Sequence, residues 1–130
     1  MIQTNTQIKI GDKTYEVNYP NVRQKLEIEN LKIFLSSGKY GELARSAHKT
    51  ASKLLDLIDA VAYFSILIPE IKSNMTVNDF ENMDIVTQRN MMRAYKINFY
   101  PWFEQIEAEL NKEDDDDENS TTSEPEETIQ

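Results

Sequence analysis

Residues 50–68 read TASKLLDLIDAVAYFSILI, and the placing of this stretch decides the fold. Wound at 3.6 residues per turn, it leaves only Ser52, Lys53, Asp56, Asp59 and Tyr63 as a narrow polar stripe. The rest of the circumference is apolar: Ala51, Leu54, Leu55, Leu57, Ile58, Ala60, Val61, Ala62, Phe64, Ile66, Leu67 and Ile68. A helix apolar on most of its sides is a central one, covered by neighbours. Thr50 is the expected cap and Pro69 the expected stop. The polar stripe is expected on the solvated side, with Lys53 compensating Asp56 one turn away.

N-terminal to this core, the alternation Ile8/Ile10 and Tyr15/Val17 around Gly11-Asp12 predicts a β-hairpin. Tyr19-Pro20 closes it, since proline forces the residue before it to be extended. An amphipathic helix is then expected from Asn21, its N-cap, to Gly38, its stop. Val22, Leu26, Ile28 or Glu29, Leu31, Ile33, Phe34 and Leu35 form its apolar side; Arg23, Lys25, Glu27, Asn30 and Lys32 are expected to face outward. Gly38-Lys39-Tyr40-Gly41 and the ELARSAHK that follows are expected to form a loop with about one helical turn, the most mobile internal segment.

C-terminal to the core, 71–75 reads as a connector, Thr76-Val-Asn-Asp79 as a capping arrangement and Asp84 as the N-cap of a helix over 85–100. Pro101 is expected to kink that helix or to separate it from a last one over 102–112. Phe99, Tyr100, Trp102, Phe103, Ile106 and Leu110 cluster about the proline and are expected to cap the core. The fold class is therefore mainly α (α+β): an N-terminal β-hairpin followed by a compact bundle of about four helices.

The net charge of −9 is not evenly spread. Residues 113–130 hold nine acids and no Lys or Arg, so the fourteen acids over 1–112 balance all fourteen bases. This divides the chain into one domain, 1–112, and an acidic tail, 113–130, expected to be disordered because it has too few apolar groups to offset its ordering entropy. A neutral body presents no basic nucleic-acid-binding face, so no direct nucleic-acid partner is expected. The apolar run is too short and too interrupted to span a bilayer, and MIQTNTQIKIGDK lacks the layout of a secretory signal. No membrane contact is expected, and the expected location is the cytoplasm.

Chemistry finds little footing. The chain has no cysteine and one histidine, His48, with no paired ligand. Asp56 and Asp59 are better read as a helix face than as catalytic carboxylates, and Asp114–Asp117 lack the spaced ligands and the glycine of a calcium loop. There is no glycine-rich phosphate loop. No catalytic residue, metal site or cofactor is expected, and the protein is read as not an enzyme.

The opening IKIGDKTYEV, then proline, then a helix carrying IENLKIFL, more helices and a charged tail, resembles the small tail assembly chaperones of tailed bacteriophages in the order of elements over 7–112. The resemblance implies a mostly helical protein of the host cytoplasm that escorts the tape-measure protein during tail formation, without catalytic residues. A groove for a helical client suits flexible, polarisable methionines. Met83, Met91 and Met92, with Tyr100, Trp102 and Phe103, are the candidate partner-binding residues, although filling gaps in the core is the favoured reading of the methionines. Apolar burial makes such binding weakly sensitive to salt and independent of 113–130. Two alternatives stand beside it: an acidic regulator or inhibitor of a basic, nucleic-acid-binding partner, acting through the tail, and a small virion structural or adaptor protein.

Overall fold

The computed structural model describes residues 3–71 and 75–122, with backbone alone for 113–122. It opens with strands β1 (Asn5–Ile10) and β2 (Lys13–Asn18), paired antiparallel with Ile8 opposite Tyr15 and Thr6 opposite Val17. Gly11 turns the chain with φ +68°, the left-handed conformation that the first turn position of a type II′ hairpin requires. Alternation puts Ile8 and Val17 on one face, and both are fully buried.

Six α-helical segments follow among the described residues, three of them starting at a side-chain cap. The first, α1 (Val22–Leu35), begins in a reciprocal box in which Asn21 and Gln24 satisfy each other's backbone N–H groups. It stops where Gly38, at φ +81°, donates its N–H to the Ile33 carbonyl. Next come α2 (Tyr40–Arg45) and α3 (Lys49–Leu67). Short α4 (Val77–Glu81) starts at the expected Thr76–Asp79 box, and α5 (Ile85–Arg93) at Asp84, whose carboxylate accepts the Thr87 N–H at 2.7 Å. From α5 the chain continues without a break through a π-helical stretch, Ala94–Phe99, into α6 (Tyr100–Thr122).

The organising helix holds. Along α3, Leu57, Ile58, Ala60, Val61, Ala62, Phe64, Ser65 and Leu67 are all buried. It packs against α1 and α2 on one side and α5 on another, while β1 lies against the π stretch and α5. Phe99 is the hub of the aromatic core, within 6 Å of the ring centroids of Tyr63, Phe64, Tyr95, Trp102 and Phe103. Each such ring removed from water contributes about 1.5–3 kcal/mol.

Several local expectations are corrected. His48, not Thr50, occupies the N-cap of α3, and no side chain caps that end. Pro101 does not divide the helix. The turn before it widens instead, so that Tyr100 donates its N–H to the Tyr95 carbonyl five residues back. A proline ring clashes with the carbonyl four residues earlier and brings no N–H of its own, and a π turn relieves both conflicts. It also keeps Tyr95, Phe99 and Phe103 on the core side at intervals of four residues, where 3.6 per turn drifts outward.

The faces of α1 are the largest departure. Its core side is Ile28, Lys32 and Leu35, while Val22, Leu26, Ile33 and Phe34 are exposed. At the start of α2, in the segment expected to be a loop with about one helical turn, the Tyr40 hydroxyl donates to Asp59 Oδ1 at 2.6 Å. Part of the connector, 72–74, lies outside the described residues. So does the test of a disordered tail over 113–130, which falls on undescribed side chains and, from 123 onward, undescribed backbone.

Candidate functional site

The feature that stands out is a groove of 610 Å³ between α3 and α5. From α3 it takes Thr50, Lys53, Leu54 and Leu57; from α5 and the π stretch it takes Ile85, Gln88, Arg89, Met92, Arg93, Lys96 and Ile97. Both sets recur at three- and four-residue intervals, which places each on one face of its helix. Leu54, Ile85 and Ile97 are 40%, 66% and 61% exposed, far more than core side chains tolerate without a covering partner.

The groove extends at both ends. A second hollow of 370 Å³ shares Leu54, Leu57 and Gln88 and runs beneath Leu35, Leu43 and Phe80. A third, of 340 Å³, shares Arg93 and Ile97 and reaches Lys9 and Gly11 at the hairpin turn. Together they form a trough along α5, with an apolar middle.

Its electrostatics are one-sided. Lys53, Arg89, Arg93 and Lys96 rim the central groove, whose lining contains no carboxylate. Lys96 is held by Asp56 at 3.5 Å; among the described residues Lys53, Arg89 and Arg93 have no carboxylate within ion-pair distance. Four of the chain's fourteen cations thus converge on one apolar opening.

Of the six residues expected to bind a partner, only Met92 lines this groove. Met91 is buried in the core and Met83 packs against it half-buried. Tyr100 is exposed beside Tyr95 and does not line the groove. Trp102 and Phe103 fasten the hairpin. The Trp102 indole N–H donates to the Gln3 carbonyl at 3.0 Å, and Phe103 stacks on Tyr19 at 5.3 Å. Tyr19 in turn hydrogen-bonds Glu107 and carries Lys25 over its ring at 4.8 Å. Met91, Trp102 and Phe103 therefore serve packing, whereas the groove is written in Leu54, Ile85, Met92, Ile97 and the cations between them. An i, i+3, i+4 apolar spacing on α5 was visible in the sequence, but it does not separate a core face from an open one.

The polar stripe of α3 is solvated at its start, where Ser52 and Lys53 are exposed, and half-buried further on at Asp56, Asp59 and Tyr63. Asp59 is half-buried, with Tyr40 Oη at 2.6 Å and Lys32 Nζ at 3.8 Å, and Lys32 also lies over the rings of Tyr40 and Tyr63. Burial raises the Asp59 carboxyl above its ordinary range, against the downward pull of the Tyr40 hydrogen bond and the Lys32 charge. Burial likewise raises the Tyr40 and Tyr63 hydroxyls, so both stay protonated donors. The cluster ties α1, α2 and α3 together, and Tyr63 also lines a hollow of 300 Å³ with Lys25, Ile28, Glu29, Phe103 and Glu107. His48 is exposed at the α3 N-cap, its backbone N–H donating to Ser46 Oγ at 3.2 Å. Among the described residues no group of three or more acids and histidines is placed to hold a metal, and no helix is long and apolar enough to cross a membrane.

Compared with protein-family models, curated proteins and solved structures, the chain matches none.

Proposed function

We propose that this protein is a non-enzymatic, protein-binding assembly factor that holds a helical segment of a client in the groove between α3 and α5. The observation that carries the reading is the exposure of Leu54, Ile85 and Ile97 along one continuous opening between two helices. An apolar trough about three helical turns long is the geometry in which an amphipathic helix is received through anchors at i, i+3, i+4 and i+7. The hairpin-plus-helices order extends the reading to a chaperone resembling those of phage tail assembly, with a long tape-measure-like protein as client and the host cytoplasm as the place of work.

The groove belongs to the body, so the reading requires client binding to persist when 113–130 are deleted. A photo-crosslinking side chain at Ile97, in the native host, should capture a long helical protein; the same probe at Val22, exposed at the start of α1 and outside the groove lining, should not. Leu54→Asp should abolish the capture. Equal capture from both positions, or capture lost with the acidic segment and intact in Leu54→Asp, would remove the groove from the function and favour the acidic regulator instead.

A further inference from the structure

We infer that the groove between α3 and α5 selects an amphipathic helix with an apolar face and acidic flanks, a preference that rests on the groove being the client site. The floor and the rim ask for different things from one occupant. Leu54, Leu57, Ile85, Met92 and Ile97 require apolar side chains on the face that enters. Lys53 stands on one wall and Arg89, Arg93 and Lys96 on the other. They are therefore positioned against the flanks of an inserted helix rather than against its buried face. Among the described residues only Lys96 is paired, to Asp56, which leaves the other three cations to an incoming carboxylate. A basic flank would meet like charge on both walls, so the rim rejects as well as attracts.

Two other occupants fit worse. A nucleic acid would satisfy the cations but would leave the apolar floor against a phosphate backbone. The chain's own residues 113–130 offer nine acids but a single aliphatic side chain, Ile129, and so match the rim without the floor. The rim also alters one expectation from the sequence: salt should weaken client binding noticeably, since exposed pairs are screened.

The test uses the full chain and three labelled synthetic helices of about sixteen residues. They share one leucine face and differ only in Glu, Gln or Lys flanks. Fluorescence anisotropy should give the Glu-flanked helix about tenfold tighter binding than the Lys-flanked one, as three exposed ion pairs of modest strength would produce. In a Lys53→Glu, Arg89→Glu, Arg93→Glu variant, checked for folding by circular dichroism, the order should invert. Equal affinities for all three helices would overturn the charge preference and leave the groove reading standing. No binding of any helix would overturn the groove reading itself. Polyglutamate binding as tightly as the Glu-flanked helix would overturn the inference by showing an anion patch. So would helix binding that emerges only when 113–130 are deleted, since the chain's own acids would then be the occupant.

Discussion

Lys32 Nζ lies 3.8 Å from Asp59 Oδ1 and 2.9 Å from Glu29 Oε2, with only 10% of its side chain exposed. A lysine that periodicity assigned to solvent is thus the electrostatic link between α1 and α3. Its ammonium is shared with the rings of Tyr40 and Tyr63, which favour a cation over their faces.

Lys32→Met keeps the aliphatic stem and removes the charge, leaving Asp59 half-buried with only the Tyr40 hydroxyl. It should destabilise the protein by about 2 kcal/mol, below the cost of breaking a fully buried pair because Asp59 retains some water. Adding Asp59→Asn should recover at least half of the loss, since the amide still accepts from Tyr40. Urea unfolding of the two variants measures both quantities. An unchanged midpoint for Lys32→Met would mean that the link carries no stability.

Asp59 also sets a pH dependence. Its folded pKa is raised, chiefly by burial, so the folded state holds the proton more tightly than the unfolded chain. That contribution is complete below the ordinary carboxylate value near 3.9 and is lost as pH climbs through the raised one. Asp84 works in the opposite sense, because the Thr87 N–H stabilises its carboxylate and lowers its pKa. The difference in stability between wild type and Asp59→Asn removes Asp84 from the comparison. It should decline as pH rises across that window and then level off. A flat difference from about pH 3 to about pH 7 would refute the assignment.

Ile58 and Leu54 stand one turn apart on α3, yet one is 1% and the other 40% exposed. Ile58→Asp should unfold the domain, since an unpaired buried carboxylate costs several kcal/mol against a total of about 5–15. Leu54→Asp should shift the melting temperature little while emptying the groove of its client. Similar melting curves for both variants would contradict the groove's open geometry.

Gly11 and Gly38 are both in the left-handed region, but their surroundings differ. A Cβ on Gly38 meets open space, so Gly38→Ala should cost only the conformational term, about 1 kcal/mol. On Gly11 the same atom comes within 3.3 Å of Asn90 Nδ2, so Gly11→Ala should cost more. Thermal unfolding ranks the pair; the reverse order would place the hairpin turn away from α5.

Much of this architecture was legible because strong local signals agreed with it. Gly11 fixed the hairpin, Asn21, Thr76 and Asp84 fixed three helix starts, and the apolar girth of α3 fixed the centre. What escaped depended on partners distant in sequence. Lys32 is inward because Asp59 and Tyr40 meet it there, while Val22 and Leu26, apolar on the same helix, are turned out. The candidate site escaped for a related reason: methionines and aromatics mark any desolvated surface, and only the separation of two helices tells a filled seam from an open one. Pro101 was correctly seen as a disturbance, but its remedy, one wider turn, leaves no trace in residue type.

The hairpin is made early and sheltered late. Ile8 and Val17 are buried together with Tyr95 and Phe99, and the Gln3 carbonyl is held by Trp102, nearly a hundred residues further along. A ribosome adding roughly 5–20 residues per second leaves the strands waiting for several seconds before their covering helix has been synthesised. A two-stranded ribbon is marginal alone, so over that interval the nascent chain carries two unsheltered strands that can pair with a neighbour on the same message. The spacing of ribosomes, and not only the finished contacts, then bears on how much of this protein reaches its native state.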